Sequence, residues 1–453
     1  MKCNILLFII LFCLCTPLYG QDKFEANEDQ YFSNPDATVE KKNPMNAELD
    51  KTDSKKSVGI SGEILSVFPY TVTRDYVFKN NDENNSLDPY MYGNLAFDAR
   101  LTGNYKGFAN LDLEYHPDTK TTDADVREIF VDFNYVKSVY FRAGKQVLKW
   151  GRCYLWNPTD VINIEKSAFI DRVRAQEGTY GLKMTIPFGT SVNIYGFADM
   201  NNSENGDNVG GAGKLEFLIG NSEMAFSAWA KKGYHPVAGY DFSTRIFGWD
   251  LVGEATGSYG SNTRKIRVVD GGIYGPTLET YREEDKFIPK AAIDFGREFD
   301  GRDISKRYSL KFEFFYNGAG YADDSFLRDT SEYIFDKPVT IEDTEGVKHI
   351  IPGGTKAAYL AGSGTYEPNY FSRYYAAIFT SVKQIFVSEL TLNINGIMNI
   401  SDYSFILSTG LSYQNINDFK AGLTVYTFIG KENREYTFSG NAASILLTAG
   451  IIF

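Results

Sequence analysis

The chain has 453 residues, with 58 acidic against 46 basic side chains and a formal net charge of −12, which excludes nucleic acid and other polyanions as natural partners. Four cysteines and three histidines supply neither a disulfide framework nor a His-rich metal or catalytic site, and nothing in the sequence calls for a cofactor. Mean hydropathy is −0.29 although the chain holds 34 Phe, 31 Tyr and 41 Gly.

Lys2 opens the chain with a positive charge, Ile5 to Leu14 is an apolar run, and Pro17 breaks it before Leu18-Tyr19-Gly20. This is the layout of a secretory signal peptide, too short to span a bilayer, with cleavage after Gly20. Leu18 is larger than usual at its place before the cut. Cys13 and Cys15 raise a lipoprotein alternative, but the residues before them lack the small side chains of a lipobox. Removing residues 1–20 leaves Cys153 as the mature cysteine and makes the charge one unit more negative. Residues 21–57 are rich in Asn, Asp, Lys and Glu with almost no apolar periodicity, which predicts a disordered arm on the periplasmic side.

From residue 58 to 453 the pattern is one of strands. Leu95, Phe97, Ala99 and Leu101 alternate with Asn94, Asp98, Arg100 and Thr102. The same period of two runs through Leu111, Leu113 and Tyr115, through Ile129, Val131, Phe133 and Tyr135, through Leu310, Phe312 and Phe314, and through Leu390, Leu392 and Ile394. No mature segment reaches the apolar length of a transmembrane helix. Alternation alone fits a soluble sandwich as well as a membrane barrel; the connections separate them. Long gaps at 70–90, 117–125, 150–176, 200–209, 260–286 and 319–370 are interleaved with short ones, which is the layout of a barrel with short turns on one side and long loops on the other. The tally is eighteen strands, with sixteen left open by the less regular stretches 241–258 and 287–297. The expected fold is therefore all-β: a transmembrane, antiparallel, up-and-down β-barrel.

The last thirteen residues agree. Ala443, Ile445, Leu447, Ala449, Ile451 and Phe453 are apolar at every second position, and the chain ends on an aromatic. This resembles the closing strand of bacterial outer-membrane barrels, in which the terminal aromatic is a signal for the barrel-assembly machinery. The resemblance implies a Gram-negative-type envelope, an outer-membrane location and contact with outer-membrane lipid.

Charged residues on the polar faces belong inside such a barrel, because Lys or Arg facing lipid near the midplane costs about 2–4 kcal/mol. Asp98, Arg100, Asp112, Glu114, Glu128, Asp132, Arg142, Lys183, Lys311, Glu313, Glu389 and Lys420 are accordingly the expected pore-lining set, whether as ion pairs filling the lumen or as the source of its field. Strict alternation from Arg142 turns Lys145 toward lipid, so a β-bulge is expected at Gly144.

The segment after the fifth strand breaks the pattern. Trp150-Gly151-Arg152-Cys153-Tyr154-Leu155-Trp156-Asn157-Pro158-Thr159-Asp160 combines aromatics with an Asn-Pro turn and an Asp able to cap a helical turn. It resembles a segment of poorly characterised porin-like outer-membrane families, and the third loop of general porins folds inward to narrow the channel. The resemblance implies a constriction loop carrying Trp150, Arg152, Trp156, Asn157, Asp160, Arg172 and Arg174; an aromatic clasp packing the loop on the wall is the plainer alternative. No Ser–His or Asp–His pairing of a barrel enzyme stands out. The expected role is a porin-like channel passing small hydrophilic solutes or ions by diffusion, with a homotrimer implied by the resemblance alone. An adhesin or binding barrel displaying its long loops is the alternative, favoured by the aromatic loop 319–370, and an export channel of the same architecture is a third.

Overall fold

The computed structural model describes residues 57–453 except 75–84, 102–104, 137, 163–177, 202, 204–207, 303, 343–347 and 416–417. The leader, the cleavage position and nearly all of the polar arm thus lie outside the described residues; Ser57 is already strand.

Eighteen antiparallel strands form the wall. β1 is Ser57–Thr73, β2 Tyr90–Leu101, β3 Tyr105–His116, β4 Thr121–Tyr135, β5 Val139–Gln146 and β6 Thr179–Phe188. β7 is Val192–Asp199, β8 Gly210–Ile219, β9 Ser222–Ala230, β10 Val237–Ile246, β11 Trp249–Tyr259 and β12 Phe287–Phe299. β13 is Tyr308–Asn317, β14 Tyr374–Lys383, β15 Leu390–Asn399, β16 Ser404–Gln414, β17 Phe419–Ile429 and β18 Asn441–Ile452. A nineteenth segment of the sheet, Ser86–Leu87, is only a two-residue bridge onto β1. Each strand pairs with the next, and β18 closes on β1 from Glu63↔Ile452 to Thr73↔Asn441. The terminal residue belongs to the seam: Gly62 N donates to Phe453 O at 2.7 Å and Phe453 N to Gly62 O at 2.9 Å.

The two faces follow the alternation. Ile129, Val131, Phe226, Phe314, Leu447 and Ile451 stand exposed on the exterior, while Leu65, Tyr92, Phe130 and Phe315 are buried inside. A continuous apolar outer belt on a closed sheet is stable only in lipid, where closure satisfies every backbone group of the wall. The end with the tight connections, such as 189–191, 220–221 and 247–248, is the periplasmic end in barrels of this kind.

Three expectations change. The gap 117–125 is a tight turn at 117–120, because Thr121 to Val126 continue β4 against β3, with His116 paired to Thr121; its Thr and Asp side chains disguised a strand as a loop. No bulge occurs at Gly144: β5 pairs with β4 and β6 without a register shift. Gly144 has φ 133°, and a Cβ there would strike the Ile129 carbonyl, so glycine permits a close strand approach rather than an inserted residue. Lys145 is buried with its ammonium 5.8 Å from the Tyr180 ring. Register does shift between β3 and β4, where Asn110 pairs with Glu128 and Leu111 with Val126, leaving Arg127 extra, and at the seam, between Val72 and Thr73.

The third change concerns the long loops, which fold. Lys265–Asp270, Pro276–Tyr281, Tyr333–Glu342 and Lys348–Gly354 form a second, four-stranded sheet. Helix α1 (Ser325–Arg328) and helix α2 (Lys356–Gly362), the latter capped by Thr355 Oγ1 accepting from Ala358 N, pack on it. Ile266, Leu278, Phe326, Phe335, Tyr359 and Leu360 supply its core.

Candidate functional site: an inward loop on an acidic cradle

The loop after β5 begins where Val147 N donates to Glu128 Oε1 at 2.8 Å and Gly151 passes so close to the Asn157 side chain that a Cβ would not fit. It then crosses to the opposite wall. Asp241 on β10 lies directly opposite Glu254 on β11, and Asp294 on β12 opposite Glu313 on β13, all on the inner face. Like charges paired across strands destabilise a sheet unless something neutralises them. The loop supplies one guanidinium and a row of amide donors, and Lys214 on β8 and Lys311 on β13 supply further cations.

Arg152 donates from Nη2 to Glu216 at 2.6 Å, from Nη1 to Glu223 at 2.5 Å and from Nε to Asp241. Burial alone would lower the pKa of this guanidinium; the Asp241 and Glu216 carboxylates more than reverse that, so it stays charged. Lys214 reaches Asp241 at 3.0 Å and donates to Trp150 O at 2.7 Å. Glu254 accepts from Arg152 N, from Cys153 N at 2.8 Å, and from Thr159 N and Oγ1 at 3.0 and 2.7 Å. Glu313 accepts from Leu155 N at 2.8 Å and Trp156 N at 2.7 Å. These are charge-assisted bonds, the strong kind. The carboxylates do for the loop what a neighbouring strand would do: they satisfy its backbone.

Two tryptophans complete the attachment. Trp156 is fully buried, stacks on Phe315 at 5.5 Å and donates from Nε1 to Asn369 O at 2.9 Å. Trp150 is buried among Leu148, Ile162, Phe197 and Trp229. Asp160 N closes the Asn-Pro turn on Asn157 O at 3.1 Å. The helical turn Asp160 was expected to cap, together with Arg172 and Arg174, lies outside the described residues. Cys153 is buried, its thiol pushed up by burial and then by Glu254.

A second node joins the loop to two others. Glu435 is wholly buried and accepts from Tyr375 Oη at 2.7 Å, Asn399 Nδ2 at 2.7 Å and Asn369 N at 3.0 Å. Asn369 is the residue whose carbonyl receives Trp156, and its Oδ1 accepts from Tyr436 Oη at 2.8 Å. The β12–β16 side of the interior is thus packed solid around Trp156, Phe315, Tyr375, Phe379, Ile397 and Tyr436.

The β1–β6 side is ionic. Asp132 takes both Nε (2.7 Å) and Nη2 (3.0 Å) of Arg142, which also lies 3.8 Å over Phe130, and Lys183 is paired across from Arg142. Asp98 meets Lys106 at 3.1 Å and Arg100 at 3.4 Å; Lys420 meets Glu63 at 3.0 Å. Asp112 accepts from Tyr92 Oη at 2.7 Å and Asn94 Nδ2 at 2.6 Å, and Glu114 stands 3.6 Å from His116. Of the remaining charged residues, Lys311 lies on the packed side: on β13 it pairs with Asp294 of β12 at 3.7 Å and sits 4.3 Å over the Tyr154 ring. Glu389 stands apart: it is in the turn 384–389, outside the strands, because β15 begins only at Leu390.

The sequence reading named Glu128 and Glu313 for the pore, whereas both hold loop backbone. It missed Lys214, Glu216, Glu223, Glu254, Asp294 and Glu435. The available signal was an inward carboxylate on each of several successive strands, with one arginine in the loop opposite.

An eighteen-stranded closed antiparallel barrel with an inward loop is the architecture of outer-membrane porins. No protein-family model matches the chain, and no curated protein sequence matches it. The solved structure of the outer membrane protein opdK from Pseudomonas aeruginosa superposes with a TM-score of 0.51 at 6% identity, covering 88% of this chain and 98% of that one. OccK2 (OpdF) of the same organism, solved in complex with glucuronate, gives a TM-score of 0.50 at 8% identity, again over 88% and 98%. At such identities the likeness is one of fold.

Proposed function

We propose that this protein is an outer-membrane channel through which small hydrophilic solutes or ions diffuse passively, narrowed by the loop that begins at Val147. The observation that carries the reading is the cradle: side chains of five strands, β8 to β11 and β13, hold a loop across the interior, and a barrel that served only as a platform has no use for one. The ionic arc of β1–β6 and β17 is the wall along which we route the solute. Its charges are paired in both signs, so we expect weak ion selectivity rather than exclusion of one sign. Assembly through recognition of Phe453 and a homotrimeric state belong to the same proposal.

Planar-bilayer recording of the purified chain tests it. Stepwise conductance is the expected result. Silent insertion would overturn the channel and favour the second reading, a binding barrel, for which the folded cap built from 265–281 and 333–362 is the specific support.

A further inference from the structure

Arg297 points the wrong way for a pore residue. It lies on β12 between Phe295 and Phe299, both exposed on the exterior, and pairs across to Leu310 on β13. Its guanidinium carbon stands 5.0 Å from the Phe299 ring centroid and 5.8 Å from that of Trp249. No carboxylate partners it among the described residues. Other cations near this corner do have such partners: Arg245 with Asp250 at 2.7 Å and Lys306 with Glu298 at 3.2 Å. An arginine on the lipid face is tolerated at the membrane boundary, where it can reach phosphate, and Trp and Tyr gather at the same depth.

The turn beside it is unusual too. Phe247 and Gly248 connect β10 to β11 with φ 52° and 79°. Two-residue hairpins of this kind favour Asn-Gly, and a bulky residue in the left-handed region is uncommon. Phe247 is nonetheless there, 95% exposed. An aromatic held out in a strained turn suits the boundary of a leaflet better than water.

Above this corner the exterior has a hollow of about 420 Å³, walled by Tyr240, Phe242, Phe314 and Tyr316 and floored by the small exposed residue Ala255, with the Phe242 ring lying over the neighbouring Gly253. Ala255 is six residues above Trp249 along β11, roughly 20 Å along the strand at a rise of about 3.4 Å per residue and roughly 16 Å in height once the strand tilt of about 40° is allowed for. One leaflet of the hydrocarbon core is about 15 Å deep. A cation, an aromatic collar and, about one leaflet above them, an apolar hollow are therefore stacked on the same outer wall.

We propose that this wall binds a phospholipid of the periplasmic leaflet, with its phosphate on Arg297, its headgroup boundary at Trp249, Phe299 and Phe247, and an acyl chain end in the hollow at Ala255. The inference needs the barrel to lie in a membrane but not to conduct, so it survives if the channel reading fails.

The test uses the full chain purified in detergent, titrated with phosphatidylglycerol and read by native mass spectrometry. Wild type should retain phospholipid, and Arg297→Gln should weaken retention on the order of tenfold, the loss of a charge-assisted pair. Ala255→Phe, which fills the hollow, should reduce retention while leaving Arg297 in place. Phosphatidylglycerol with brominated chains should quench Trp249 fluorescence in wild type and less in Arg297→Gln. Equal retention by wild type and both variants would overturn the proposal. So would displacement of the lipid by equimolar inorganic phosphate, which would mark a free-anion site.

Discussion

Replacing Arg152 by Met removes the guanidinium from between Glu216, Glu223 and Asp241 while keeping most of the side-chain volume. Arg152 is 11% exposed and Asp241 is fully buried, so the variant strands carboxylates that cannot reach water. Removing one partner of a buried ion pair costs about 3–5 kcal/mol. Lys214 remains 3.0 Å from Asp241, which places the expected loss near the lower end, about 3 kcal/mol. The loop should nevertheless stay inside. Trp150 and Trp156 each bury on the order of 150–250 Å², worth about 4–6 kcal/mol apiece at 25 cal/mol/Å², and together they exceed the loss. Urea unfolding in lipid vesicles should therefore show a clear drop in stability, while single-channel conductance rises less than about twofold. Adding Glu223→Gln to Arg152→Met should recover about 1 kcal/mol, because one uncompensated charge disappears. Unchanged unfolding in Arg152→Met would refute the claim that the carboxylate row depends on this guanidinium. Conductance as large as that of a chain lacking 147–162 would refute the anchoring by tryptophan.

Trp156→Ala should cost about 3–5 kcal/mol and give larger, noisier conductance steps, since a fully buried indole and its bond to Asn369 are lost together. Arg142→Ala frees Asp132 on the ionic arc, so the reversal potential under a salt gradient should shift toward cation preference; an unmoved potential would remove this arc from the conduction path. Glu435 is pushed up to about 8, chiefly by burial, with the Tyr375 hydroxyl acting against it. A folded pKa above the unfolded value of 4.5 means that the folded chain keeps the proton between the two, so stability from this node is complete below about pH 4.5 and is lost as pH rises through about 8. The thermal transition should fall across that window in wild type and stay flatter in Glu435→Gln. Gly144→Ala meets both the φ of 133° and the Ile129 carbonyl, and a folded fraction equal to wild type after refolding would show that β4 and β5 can separate.

Much of the wall was legible because period-two alternation is imposed residue by residue. Phe97, Leu111, Val131 and Leu447 could be assigned to the exterior from their neighbours alone, and the strand count of eighteen followed. Polar strand ends were not legible: Thr121 to Asp125 read as loop because extracellular ends leave the lipid and lose their apolar face. The second sheet was hidden for a different reason. Thr277–Leu278 pair in parallel with Ile334–Phe335, more than fifty residues away, and no local pattern announces such a contact. At the site, Trp150, Arg152 and Trp156 declared themselves as an aromatic break in alternation. Their partners did not, because Glu254 within Val252-Gly253-Glu254-Ala255 looks like any inward charge until the loop is seen against it.

That difference bears on how inward carboxylates of a barrel are read. A row of them across β8 to β13 suggests a cation-attracting lumen if each is taken alone. Here Glu254 and Glu313 spend their lone pairs on the amides of Arg152, Cys153, Leu155, Trp156 and Thr159, and Glu216, Glu223 and Asp241 share one guanidinium. Their lone pairs are engaged in holding the loop and are not free to face a solute. The field a solute meets should then be set by the opposite arc, where Asp98, Asp132, Arg100, Lys106, Arg142 and Lys183 alternate in sign. Neutralising Glu254 should alter pore size and leave ion preference nearly unchanged, whereas neutralising Asp132 should do the reverse. Paired measurements of conductance and reversal potential on Glu254→Gln and Asp132→Asn separate the two; if both variants move both quantities alike, the division of labour between the arcs is wrong.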